Sequence, residues 1–171
     1  MNHHNIVWNK FIRLTHWLVA VIIILDMFIF TDGADLHIWL GYIVTGLVIL
    51  RLIYGLISRH QAHSLSNFPL SASSLIKFFQ DKIKNRDTKY LGHNPAASLV
   101  YVLIWLCVLG LTITGWMLGL DRFFGDESVE QAHRIINTVL QVTVIFHLLG
   151  LLLDSLQFKR KAWMSMLTGR K

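Results

Sequence analysis

A single cysteine, Cys107, leaves the chain without an intramolecular disulfide and without a Cys-x-x-Cys-His attachment motif. Charge is scarce as well. Only 15% of the 171 residues are charged, where a soluble domain of this length carries about 25%. There is no internal repeat, no low-complexity segment, and no nucleophile, acid–base pair or phosphate-binding loop.

What fills the space is apolar. Hydrophobic residues make up 54% of the chain, and they fall in blocks rather than in amphipathic stripes. Four blocks, 11–30, 36–57, 96–120 and 133–153, are long enough to cross a hydrocarbon core, which takes roughly 20 residues as a helix. Lipid offers backbone groups no hydrogen-bond partner, so spans of this length are helices; barrel strands would be about half as long and would alternate. The expected fold is all-α, an integral membrane four-helix bundle. The first block is longer than a usual signal core, is followed by no A-x-A-like cleavage site and contains His16, so it reads as retained.

The net charge of +6 would suit nucleic acid, but its placement says otherwise. Bases gather before or at the start of the first span (Lys10, Arg13), between 58 and 95 (Arg59, Lys77, Lys82, Lys84, Arg86, Lys89) and in the tail (Lys159, Arg160, Lys161, Arg170, Lys171). The other two connections hold mostly acids: Asp32 and Asp35 in one, Asp121, Asp126, Glu127 and Glu130 in the other. Positive residues mark the cytoplasmic side. Both termini and the long loop are expected in the cytoplasm, and no nucleic-acid partner is expected.

The link at 31–35 makes the first two helices antiparallel neighbours. Within the long loop Leu75, Ile76, Phe79 and Ile83 recur at helical spacing with Lys77, Lys82 and Lys84 among them. Two readings fit: a helix lying on the membrane surface, or an ordinary loop helix. The tail has a similar look, with Phe158, Trp163, Met164 and Leu167.

Four of the nine histidines, His16, His37, His133 and His147, lie in or at the ends of the spans. Ionisable residues are costly there and usually face the bundle interior. His16 and His147 lie near the cytoplasmic ends of their helices, and His37 and His133 at the outer starts of theirs. They thus form two levels. His133 and His147 are 14 residues apart, about 21 Å along a helix and close to four turns. One helix therefore offers a ligand at each level on one face. The pairs are His16 with His147 and His37 with His133.

Two imidazoles from facing helices suit a six-coordinate haem in a bundle core. Two such levels suit two b haems. Arg51, 14 residues from His37 on the same face, would lie near the inner haem and could neutralise a propionate. Arg134 could do so at the outer level, or serve as an interfacial cation. Gly41, Gly46, Gly110 and Gly115 would admit a flat macrocycle or a neighbouring helix. Trp17, Trp39, Tyr42, Trp105 and Trp116 would line pockets or form interface belts. A single four-ligand metal site would need its ligands together, which two levels do not provide. A proton route through Asp26 and the histidines is a rival reading.

Several stretches carry a family resemblance: Arg13-Leu14-Thr15-His16-Trp17, His37-Ile38-Trp39-Leu40-Gly41-Tyr42, Arg51-Leu52-Ile53-Tyr54-Gly55, Tyr90-Leu91-Gly92-His93-Asn94-Pro95, His133, His147 and the closing Met166-Leu167-Thr168-Gly169-Arg170-Lys171. In this order the chain resembles the bacterial cytochrome b561 family, which includes the cytochrome b subunits of nickel–iron hydrogenases. The resemblance implies a four-helix bundle with two b haems in the bacterial inner membrane. It implies electron exchange between quinone or quinol and a redox partner, such as a c-type cytochrome, a dehydrogenase or a hydrogenase. Quinone oxidoreductase activity would follow from that exchange. His93 would either help bind quinone or shape the entry to the third span, where Asn94-Pro95 is a helix-start signal. A histidine-containing proton or ion transporter and a membrane anchor for a redox enzyme are the alternative readings, and homo-oligomerisation stays open.

Overall fold

The computed structural model describes residues 7–29, 34–58, 64–86, 90, 93–159 and 161–169. Among these the regular structure is helical throughout. Four long apolar helices are α1 (Lys10–Phe28), α2 (Asp35–Ile57), α4 (Pro95–Leu118) and α5 (Glu127–Gln157). Two shorter ones are α3 (Ala72–Ile83) and α6 (Ser165–Thr168). The 31–35 link falls mostly on residues outside the description, as do His3, His4, His60 and His63.

Local chemistry sets the helix starts. Asn9 caps α1, its Oδ1 accepting from the Ile12 amide at 2.9 Å. Asn94 caps α4 from the Ala97 amide at 2.8 Å, with Pro95 in the first turn where no amide proton is needed. Asp126 caps α5, and Glu127 and Glu130 in its first turn face the positive end of the helix dipole. That cap explains one difference from the sequence reading. The apolar run begins at 133, but the helix begins at Glu127, because a capped helix continues into the polar layer. At the other end α5 runs on to Gln157. Likewise α4 stops at Leu118, with Gly119 as its cap.

Close backbone packing joins α1 to α2, α2 to α4 and α4 to α5. Their shared core is Ile23, Val44, Val48, Trp105, Cys107, Val108 and Leu140. A hydroxyl pair, Thr45 with Thr112, bridges α2 and α4, the kind of interhelical bond that small polar side chains make in lipid. Outward, the helices stay apolar: Leu14, Leu18, Val21, Ile24 and Phe28 form one exposed stripe along α1. A surface like this on all four spans would drive association in water and is matched by hydrocarbon. The protein is a multi-pass membrane protein.

The bundle has a hairpin end, where the end of α1 lies by the start of α2 and the end of α4 by the start of α5, and a terminal end, where α3, Val7 and Gly169 lie. Here α3 is held to α5 by the Lys82–Asp154 ion pair at 2.5 Å and by Gln157 Nε2 donating to the Lys82 carbonyl at 2.9 Å. Phe78 and Asp81 are buried, whereas Ile76, Phe79 and Ile83 face outward. The tail folds back beneath the bundle. The amides of Val7 and Trp8 both donate to the Gly169 carbonyl, at 2.9 and 3.1 Å. Arg13 Nε and Trp17 Nε1 donate to the Met166 carbonyl, at 3.2 and 3.3 Å.

Candidate haem sites

Helix α5 stands opposite α1 and α2. Neither is among its close backbone neighbours in the described residues, and histidine rings face one another across that separation. At the hairpin end His37 of α2 meets His133 of α5, with ring centres 6.3 Å apart and planes at 67°. At the terminal end His16 of α1 meets His147 of α5, at 6.4 Å and 56°. The structure thus brings together both pairs expected from spacing.

At the hairpin end the second ring nitrogens are engaged. His37 Nδ1 is 2.9 Å from Asp26 Oδ1 on α1. A carboxylate only accepts, so the Nδ1–H of His37 donates to Asp26. His133 Nδ1 is 2.8 Å from Thr114 Oγ1 on α4. The Thr114 hydroxyl also lies 2.9 Å from the Gly110 carbonyl and 3.2 Å from that of Leu111; where its proton goes to one of these, its oxygen accepts from His133 Nδ1–H. Each imidazole thus has its Nδ1 engaged by a side chain of a neighbouring helix, the orienting contact that metal-binding histidines usually make. All four spans contribute one residue to this level.

At the terminal end His16 Nδ1 is buried with no hydrogen-bond partner among the described residues. Tyr101 stands edge-on to His147 at 6.4 Å and to Trp105 at 5.6 Å. Arg51 lies over Trp105, its Cζ 5.7 Å from the ring centre. Arg51 is only 5% exposed, a buried cation in the terminal half, in the region where the spacing from His37 placed it. His93 is 8% exposed. It is enclosed by the rings of Trp8, Phe68 and Tyr101 at 4.6, 4.7 and 4.6 Å. That packing supports a structural role at the entry to α4.

Other expectations divide. Arg134 is exposed and pairs with Glu130 one turn away, the interfacial-cation arrangement. A Cβ on Gly110 would meet Ile136 at 3.2 Å and one on Gly115 would meet His133 at 3.4 Å, whereas Gly41 and Gly46 have nothing within 4 Å. Trp39 and Trp116 face outward and Trp105 is core. Among the described residues no three His, Cys, Asp or Glu side chains converge as a single-ion site.

In the sequence Asp26 reads as a single acid or as part of a proton route with the histidines, and Thr114 carries no mark of its own. A signal for both exists. In an antiparallel hairpin, residues equally far from the turn lie at one depth. Asp26 and His37 are equidistant from the midpoint between Thr31 and Asp32, and Thr114 and His133 from that between Phe123 and Phe124.

The ring spacing tests the fit of a haem. A metal–imidazole bond is about 2 Å, and the ring centre lies about 1 Å behind the nitrogen, so two imidazoles on one iron place their centres roughly 6 Å apart. Both pairs match, and the residues fit the group.

The sequence model of a family described as prokaryotic cytochrome b561 matches residues 7–169, nearly the whole chain. No curated protein and no solved structure matches it.

Proposed function

The chain belongs to the prokaryotic cytochrome b561 family and is a haem-binding membrane b-type cytochrome of electron transfer; on that footing we propose that it holds two b haems and passes electrons between the quinone pool and a redox partner. His37 and His133 hold one haem at the hairpin end, and His16 and His147 the other at the terminal end. The observation that carries this reading is the pair of ring spacings, 6.3 and 6.4 Å, at two depths of one bundle.

Bound haem supplies one-electron reduction and reoxidation at its iron. The chain supplies position and charge. Asp26 and Thr114 orient the His37 and His133 rings through contacts at Nδ1. Arg51 offers a buried cation for a propionate at the terminal end. The 14-residue spacing of His133 and His147 on α5 sets the two levels about 21 Å apart. The apolar bundle keeps water away from both levels. The charge pattern supports placing both termini in the cytoplasm and the hairpin end on the outer face of the bacterial inner membrane. We read the whole chain as one domain.

Quinol added to the protein in liposomes is expected to reduce the haems within the mixing experiment, seen as growth of the b-type α-band. Haems that dithionite reduces but ubiquinol and menaquinol both leave oxidised would remove quinone from the account and leave the haem sites standing.

A further inference from the structure

The four imidazoles are not electrostatically alike. His37 has a carboxylate, Asp26, 2.9 Å from its Nδ1. His133 has a neutral hydroxyl, Thr114. His16 Nδ1 has no partner among the described residues. The terminal half instead contains a buried cation, Arg51, over Trp105. One level is thus built with an anion on a ligand and the other with a guanidinium nearby.

We propose that Asp26 is a positioning residue that makes the hairpin-end haem the harder of the two to reduce. The inference rests on the pairing of His37 with His133 at one iron. A carboxylate accepting from Nδ1–H raises the basicity of the imidazole it orients. A more electron-rich ligand and a nearby negative charge both favour ferric over ferrous iron. Burial strengthens the effect, since Asp26 and His37 side chains are only 21% and 22% exposed and the surroundings screen little. Arg51 acts in the opposite sense at the terminal end, where positive charge favours the reduced state. An electron shared between the levels therefore settles at the terminal end.

A potentiometric titration of the purified full chain, followed at the α-band with a haem count, tests this. The variants are Asp26→Asn, which keeps an acceptor oxygen and removes the charge, Asp26→Glu, which keeps the charge, His37→Ala and His16→Ala. The parent is expected to show two one-electron steps. The lower step should vanish in His37→Ala and persist in His16→Ala. Asp26→Asn should raise it by at least a tenfold change in the ferric–ferrous equilibrium, about 59 mV for one electron. The upper step should stay in place, and Asp26→Glu should stay near the parent. An unmoved lower step in Asp26→Asn overturns the proposal alone. If that variant fails to load the hairpin-end haem, the histidine variants decide: loss of the lower step in His16→Ala overturns the proposal. Two haems retained in His37→Ala would overturn the pairing itself and this proposal with it.

Discussion

Replacing His147 by alanine is expected to remove one haem and leave the other. Haem per chain should fall by about half, because one imidazole is a poor hold for a six-coordinate haem in a bundle core. His16→Ala should have the same effect at the same level. His37→Ala and His133→Ala should each remove the other haem. The two losses separate because the levels lie about 21 Å apart on α5. Unfolding is not the expected cause, since alanine is the best helix former and each histidine lies inside a helix or its first turns. The check is a pyridine haemochrome count with potentiometry to identify the survivor. If all four single variants kept both haems, the ligand assignment would be wrong.

The second large effect concerns the tail. Gly169 has φ +78, and a Cβ there would meet the Trp8 carbonyl oxygen at 2.6 Å. Gly125 has φ +73 with nothing within 4 Å. Alanine at Gly125 therefore costs only the left-handed conformation, about 1–2 kcal/mol. Alanine at Gly169 adds a backbone collision worth about 1–3 kcal/mol more. Relief means breaking the bonds from the Val7 and Trp8 amides and loosening those from Arg13 and Trp17 to Met166. Trp17, one of the residues held to the tail, also stands edge-on to His16, with ring centres 5.5 Å apart. Trypsin is expected to cut after Lys159 and Lys161 faster in Gly169→Ala than in Gly125→Ala or the parent. Equal cutting rates in all three would show that the tail clamp contributes little.

Much of this architecture can be read from residues alone, for physical reasons. A bilayer imposes length and apolarity on a span, so the four blocks announced themselves, and the 14-residue spacing of His133 and His147 fixed two depths on one face. Helix ends were less legible, because a run of apolar residues marks the hydrocarbon and not the helix; Asp126 starts α5 well before His133. Asp26 and Thr114 were obscured for a different reason. Each acts on a histidine of another helix, so its role exists only once the hairpins pair. His93 likewise gains its surroundings from Trp8, Phe68 and Tyr101, drawn from three separate parts of the chain. Arg51 was legible because it shares a helix face with His37, where a rule of periodicity applies.

The central claim is that one chain holds two b haems on two histidine pairs. A reduced-minus-oxidised visible spectrum of the purified protein, with a pyridine haemochrome count, tests it most directly. About two b haems per chain are expected from the two ring pairs. No haem after expression with ample haem supply, or one that survives replacement of every one of the four histidines, would contradict the account and leave transport or anchoring as the better description.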